Sequence, residues 1–466
     1  MTRQPGWRQE ITGGSMNRYN LAEAAFRGDT NRVQEIMEEI RDNFESVEMK
    51  TYNGMTPLMA AAFKGHLDIV NILVLHNTAL ESRDRDGDTA LAYAVHGNQP
   101  KIVWYLLDKG SDINTSNKKG MTPINIATCE DHWSCAESIV THRLGCNVNC
   151  RVEMKNYNGK TPLMAAAFKG HLDIVRRLVL HKTELESRDR NGDTALAYAV
   201  YGNQPKIVGL LLDEGSDINT SNEKGMTPIH IATCEGHWSC AEKILTLTSG
   251  CNVNCRADDR HTPLFYAIKK NEPRFIKCLV QHPDVDIEMA DARGFNSLHH
   301  AVMEKSQSTV GLILHRAPHM LNIQTVNGFT ALHFAAYNDM LDIVSTLAKQ
   351  VNCKRDLKTV AGDTALHLAS SKCHITCIKA LIKYGANVNA QDVAGQTSLH
   401  LVMMQATMQD GPIYLVDIAL YFIENHAEIY IRNNDGKDVL DVTANLTTRK
   451  TLRKAYRKKN KACKIL

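Results

Sequence analysis

One stretch of this chain is written twice. Tyr52-Asn-Gly-Met-Thr-Pro-Leu-Met-Ala-Ala-Ala-Phe-Lys-Gly-His-Leu-Asp-Ile-Val70 returns as Tyr157-Asn-Gly-Lys-Thr-Pro-Leu-Met-Ala-Ala-Ala-Phe-Lys-Gly-His-Leu-Asp-Ile-Val175, and the offset of 105 residues holds from Gly54/Gly159 to Cys150/Cys255. Inside each copy a shorter unit recurs every 33 residues, marked by Gly54, Gly87 and Gly120 and again by Gly159, Gly192 and Gly225. Units this small cannot each close a core, so they must stack, each against its neighbours. A stack makes extended surface rather than one catalytic cavity.

Threonine mostly follows two residues after the glycine. At Thr56, Thr89, Thr122, Thr161, Thr194, Thr227, Thr262, Thr330, Thr364 and Thr397 it precedes Pro-Leu, Ala-Leu, Pro-Ile or Ser-Leu. A hydroxyl there caps the orphan amides of a helix start, and proline is tolerated in a first turn because its missing N–H had no helical partner. The Ala-rich stretch from Ala60 to His66 predicts a two-turn helix stopped by glycine. Leu67 to Leu75 carries apolar residues at helical spacing and predicts a second helix. Asn/Asp-rich stretches such as Gly110 to Asn117 and Gly385 to Asp392 predict the turns that follow.

This pattern resembles the ankyrin repeat. Its clearest instances are Thr364-Ala-Leu-His-Leu-Ala369 with Leu381-Ile-Lys-Tyr-Gly-Ala-Asn-Val-Asn389, and Thr330-Ala-Leu-His-Phe-Ala-Ala336 with Leu341-Asp-Ile-Val344. The resemblance covers roughly residues 19–445. It implies an all-α solenoid of helix-turn-helix units joined by hairpin loops, with about eleven clear repeats and degenerate terminal ones. The expected organisation begins with a disordered lead-in over 1–18 and a degenerate repeat over 19–50. Three repeats over 51–151 follow, then a spacer and three repeats over 152–256, and five repeats over 257–433 with a looped insertion near 404–412. A degenerate repeat over 434–448 and a polybasic tail over 449–466 complete it; the spacer 151–156 is also a place where the stack could bend in two.

Departures from the family pattern carry consequences. The histidine after Thr-Pro-Leu stands at His230, His299, His333, His367 and His400, but is Met59, Ala92, Asn125, Met164, Ala197 and Phe265 elsewhere. Helix starts in the duplicated half are therefore expected to be less well tied. Arg260 stands where glycine is usual, and Asn296-Ser297 replaces Thr-Pro.

Charge is unevenly spread. The segment from Arg449 to Leu466 holds nine of the 54 Lys and Arg and none of the 51 acids, so the remainder has 45 basic against 51 acidic residues. The end reads Cys463-Lys-Ile-Leu466, which looks like a prenylation box with the terminal leucine of geranylgeranyl transfer. One lipid chain attaches reversibly, and an adjacent polybasic segment supplies a second signal towards an anionic membrane. The same basic run also fits a nuclear-import signal or a solvated helix face. No nucleic-acid partner is expected, because Tyr456 is the single aromatic within the run.

Thirteen cysteines include no Cys-x2-Cys pair, and most recur through the duplication, as Cys129/Cys234 and Cys135/Cys240 do. They read as small buried residues of a reducing compartment. No secretory signal and no apolar run of about 20 residues is present, so a cytoplasmic location, with membrane association through the C-terminus, is expected. The phosphate-loop, dinucleotide, nucleophile-elbow and zinc-protease motifs are missing. Catalytic, cofactor and metal sites and a small-molecule substrate are accordingly not expected, and most histidines follow the repeat period. His299-His300 point about 100° apart on a helix and do not suit a shared metal. The recurrent Cys129-Glu-Asp-His-Trp-Ser-Cys135 and Cys234-Glu-Gly-His-Trp-Ser-Cys240 suit either helix-start packing of Trp133 and Trp238 or a partner contact.

Family resemblance implies that protein partners meet the concave side, formed by hairpin tips and the exposed ends of first helices. Tips map near Arg85, Lys118, Arg190, Lys224, Arg293 and Asn327. Helix ends map to Phe63, Lys64, Phe168, Lys169, Tyr201, Lys269, Lys270, Tyr337 and Asn338. The aromatic members are either interface anchors or packing between repeats. Residues 262–405 are also similar to the ankyrin region of mind bomb ubiquitin ligases, whose zinc-bound RING modules find no Cys-x2-Cys counterpart here. The expected function is a non-enzymatic protein-interaction scaffold, with the substrate-recognition arm of a ubiquitin ligase as the rival.

Overall fold

A computed structural model describes residues 16–42, 50–51, 53–142, 145–149, 158–247, 250–408 and 414–463. Most of the lead-in, the spacer 151–156, part of the insertion and Lys464 to Leu466 lie outside the described residues. Two compact units divide the chain, Met1–Cys251 and Asn252–Leu466.

The first unit is a row of helix pairs. Met16–Arg27 pairs with Thr30–Asp42, Pro57–Lys64 with Leu67–Leu75, Ala90–His96 with Pro100–Asp108, and Pro123–Cys129 with Trp133–Thr141. Pro162–Lys169 pairs with Leu172–Leu180, Ala195–Tyr201 with Pro205–Asp213, and Pro228–Glu235 with Trp238–Leu247. In the second unit Pro263–Lys269 pairs with Pro273–Gln281, Ser297–Met303 with Gln307–Arg316, Ala331–Tyr337 with Leu341–Ala348, and Ala365–Ser371 with Ile375–Lys383. Ser398–Met408 with Tyr414–Glu424 and a short Val439–Val442 with Leu446–Cys463 complete it. Eleven pairs follow the repeat pattern and one at each end departs from it. Among the described residues the strand-type pairing is an isolated bridge between Gln391 and Thr397.

Local chemistry explains the helix limits. Thr56 Oγ1 accepts the Met59 N–H at 3.2 Å, Pro57 opens the first turn, and Gly65 closes the helix at φ 89°. Within each unit first helices pack on first helices and most second helices on second helices of the adjoining pair. The first helices can approach closely because their inward residues are small: Ala60, Ala61 and Ala62 are wholly buried. Larger side chains of the second helices, such as Ile69, Val70 and Leu73, fill the layer between.

Three expectations are corrected. Helix Met16–Arg27 begins inside the segment read as lead-in. Met404 to Met408, expected to be a loop, continues its helix, because Gln, Ala and Met are good helix formers with no Gly or Pro among them. The division into units falls at Cys251/Asn252 rather than at the spacer, since Pro123–Cys129 still packs against Pro162–Lys169 and the Trp133 ring stacks on His171 with centroids 3.9 Å apart.

Candidate interaction surface

Histidines knit the stack together. In Ala331–Tyr337 the Thr330 N–H donates to His333 Nδ1 at 3.1 Å, and Nε2–H donates to the Asp363 carbonyl of the next repeat at 3.1 Å. His367 and His400 repeat this, reaching the carbonyls of Gln396 and Lys437. A second set, after the inter-helix turn, donates backwards: His66 to the Phe26 carbonyl, His132 to that of Val95, His237 to that of Val200 and His374 to that of Tyr337. Burial pushes the His333 pKa down to about 4. In the duplicated half, Met59 and Met164 accept the threonine N–H on sulfur at 3.3 Å, a weaker tie.

Cysteines serve the same purpose. Cys135 and Cys240 are wholly buried and donate to Asn98 Oδ1 and Asn203 Oδ1 at 3.6 Å, while Cys377 donates to Asp339 Oδ1 at 3.3 Å. Their acceptors sit at positive φ in the turn of the preceding repeat. Burial pushes all three thiols up to about 12, the direction opposite to a reactive thiolate.

Hairpin tips are linked by single backbone bonds. Arg85 N–H donates to the Asn53 carbonyl at 3.1 Å, Lys118 to Asp86 at 2.9 Å and Arg190 to Asn158 at 2.9 Å, and all three side chains are exposed. Further tips occupy Glu223, Val326, Val360, Val393 and Asn434, so those expected near Lys224 and Asn327 fall one residue earlier, and Arg293, whose carbonyl accepts the Val326 N–H, stands in its hairpin where Asn327 does in the next. At the helix ends Lys64, Phe168, Lys169, Lys269, Lys270, Tyr337 and Asn338 are exposed, whereas Phe63 and Tyr201 are half-buried. Phe63 meets Tyr93 edge-on and Phe168 meets Tyr198, each at 6.3 Å, so these rings also pack between repeats. Lys169 pairs with Asp131 at 3.0 Å and is committed to its own stack.

Sequence reading missed an apolar edge in the second unit. Val326, Val360 and Val393 are 72%, 75% and 67% exposed at successive tips, where the first unit carries charge. Beside Val326 lies a cavity of about 410 Å³ lined by Arg293, Phe295, Thr325, Asn327, Phe329 and Phe334. Phe295 and Phe329 both pack on Phe334, with centroids 5.0 and 5.1 Å away, and the Arg293 guanidinium covers Phe295 at 4.6 Å. The Gly-Phe pairs at 294–295 and 328–329 were the available signal, because aromatic residues replace Asp, Met or Lys after the hairpin glycine.

Arg449 to Cys463 belongs to the final helix, not to a free tail. Leu452 is wholly buried, Tyr456 meets Tyr430 edge-on at 5.5 Å and bonds to Glu428, and Lys459 Nζ donates to the Glu424 carbonyl. Lys450, Arg453, Lys454, Arg457 and Lys458, spaced three and four apart, form an exposed basic stripe on another face. The Cys463 backbone ends the helix, and its side chain lies outside the described residues, as does the rest of the box. No helix among the described residues is long and apolar enough to cross a membrane. Among the described residues one cluster has metal-ligand chemistry, His261, Asp291 and His300.

Together these features define a protein of stacked helix-turn-helix repeats, with neighbours inside each unit tied by histidine, cysteine and hairpin bonds. The sequence pattern described as Ankyrin repeats (3 copies) matches residues 21–117, 109–189, 175–256, 229–322, 313–392 and 332–435, and the chain belongs to the ankyrin repeat family. Ankyrin repeats bind other proteins. The chain is 25% identical over 261 residues to NF-kappa-B inhibitor zeta of Homo sapiens, covering 55% of this chain but 35% of that protein. It is 29% identical over 194 residues to the putative ankyrin repeat protein YahD of Escherichia coli, covering 40% of this chain and 93% of that one. The solved ankyrin repeat domain of Bcl-3, at 29% identity and a TM-score of 0.45, covers 48% of this chain.

Proposed function

We propose that the chain is a non-enzymatic scaffold that docks a protein partner along the hairpin edge of its second unit and is held at the cytosolic face of a membrane by its basic helix and a geranylgeranylated Cys463. The observation that carries the reading is the row Val326, Val360 and Val393 beside the phenylalanine-lined cavity. Three exposed valines at adjoining tips gain from burial against an apolar partner segment, and Phe295, Phe329 and Phe334 offer the kind of aromatic pocket that dominates an interface. The basic stripe supports the membrane half: it faces solvent while Leu452 and Tyr456 fix the helix. A single lipid anchors reversibly, so stripe and lipid together supply the two signals that stable attachment needs.

Proximity labelling in cells separates the two halves of the proposal. Val326→Glu/Val360→Glu/Val393→Glu is expected to lose the proteins captured by the unaltered chain while remaining in the membrane fraction, and Cys463→Ser to leave that fraction. A captured set that neither change alters, and that contains ubiquitin-ligase subunits, would instead make the chain a ligase's substrate-recognition arm.

A further inference from the structure

Tyrosine closes off the hairpin aspartate in three repeats. Tyr93 donates to Asp84 Oδ2 at 2.8 Å, Tyr198 to Asp189 Oδ2 at 2.8 Å and Tyr266 to Asp259 Oδ2 at 2.7 Å. In the repeat that follows Tyr266 the tyrosine position is His300, and the shorter imidazole does not close the gap. Its Nε2 stops 3.7 Å from Asp291 Oδ2, shielded from solvent and with no hydrogen-bond partner. His261, on the preceding hairpin, stands edge-on to it with ring centroids 5.5 Å apart. One ligand atom from each of His261, Asp291 and His300 lies within 4.8 Å of the other two.

We infer that His261, Asp291 and His300 form a zinc site that clamps two neighbouring hairpins. Two imidazoles and one carboxylate are a donor set that zinc accepts, with the fourth position left to water. Bonds of about 2.0–2.1 Å in a tetrahedron put ligand atoms about 3.3 Å apart, so closing the cluster needs side-chain rotations on the order of 1 Å. The outer shell is already built. Asp259 Oδ2 lies 2.9 Å from His261 Nδ1 and fixes the ring as carboxylates do for zinc-bound histidines. Asp291 Oδ1 accepts the N–H groups of Arg293 and Phe295 at 2.8 and 2.9 Å, orienting Oδ2 towards the cluster.

Protonation states agree with this arrangement. Burial pushes His300 down to about 4, so its ring is neutral and carries a lone pair near pH 7. Burial opposes ionisation of Asp291, but the amides of Phe295 and Arg293 outweigh it and hold the carboxyl below its usual range. One group competes: Arg293 Nη2 lies 3.3 Å from Asp291 Oδ2. That guanidinium is 63% exposed and leans on Phe295, so it can swing aside.

The full chain, stripped with chelator, should be titrated with Co²⁺ followed by visible d–d absorption and with Zn²⁺ followed by calorimetry. His300→Tyr installs the residue of the three tyrosine repeats. Asp291→Asn keeps the acceptor for the hairpin amides, as Asn117 Oδ1 does at 3.0 Å for Lys119 and Met121. Each variant is expected to lose one Zn²⁺ equivalent, or more than about 100-fold in affinity, together with the d–d bands. Arg293→Gln is expected to tighten binding. Circular dichroism confirms that each variant is folded, and either one suffices for the reading. Identical stoichiometry and Co²⁺ spectra in the unaltered chain and a folded variant would overturn the assignment.

Discussion

His333 uses both ring nitrogens at once, Nδ1 accepting within its own repeat and Nε2 donating to the next, and that arrangement requires the neutral ring. The unfolded chain takes up a proton near the ordinary value of 6.5, whereas burial and the neighbouring His367 hold the folded ring to about 4. Unfolding therefore binds the proton first as pH falls. Stability is at its full value above 6.5, and the loss at pH 5 is about 2 kcal/mol for this ring. The fall in urea midpoint between pH 7 and pH 5 should be smaller in His333→Met, which copies the Met59 repeat, than in the unaltered chain, where other buried histidines such as His299 and His300 contribute to both. Equal drops would mean that the ring is not held neutral. The buried thiols give a second test at this scale: iodoacetamide should react with Cys135, Cys240 and Cys377 in the folded chain more slowly than with half-exposed cysteines such as Cys146, Cys234 and Cys251.

Between elements, spacing rather than polarity sets the limits. Gly97 ends its helix at φ −79°, a conformation open to any residue, yet a Cβ there would lie 2.0 Å from the Phe63 carbonyl oxygen of the preceding repeat. Gly202 stands in the same relation to Phe168. Gly97→Ala must separate two first helices, and the expected loss is about 2 kcal/mol or more, read from the urea midpoint. A change below about 0.5 kcal/mol would show that the helices move apart without resistance. The helices themselves were legible because the Thr cap, Pro opening and Gly stop of one helix fall within a single short segment, as in Thr56, Pro57 and Gly65. The approach at Gly97 was not, since it depends on a carbonyl 34 positions earlier. Nor was the valine edge: Val326 and Asn327 are neighbours in one turn, so placing the tip on Asn327 instead of Val326 exchanges an amide for an apolar group. The His261, Asp291 and His300 cluster escaped for a related reason. It joins residues of two repeats at positions whose identity the period leaves open: the place of His300 is taken by Tyr266 in the preceding repeat and by Phe334 in the next.

Across the whole molecule, charge is segregated: the last eighteen residues hold nine basic groups and no acid, against a mildly acidic remainder. Folding sharpens this, because burial of Leu452 on one side of the final helix leaves Lys450, Arg453, Lys454, Arg457 and Lys458 exposed together. Each such charge near an anionic leaflet contributes about 1 kcal/mol, and the attraction decays within a Debye length, about 8 Å in physiological salt. Unlipidated protein should therefore sediment with vesicles containing phosphatidylserine and not with purely zwitterionic ones. Changing the five residues to glutamine should weaken that binding on the order of 10³-fold. Raising salt should weaken the unaltered chain towards the level of the variant, as screening requires. Cys463→Ser should leave vesicle binding of the unlipidated protein unchanged, because the stripe alone acts there. Binding that resists both salt and the glutamine changes would place the membrane contact elsewhere on the chain and remove the basic helix from the anchor.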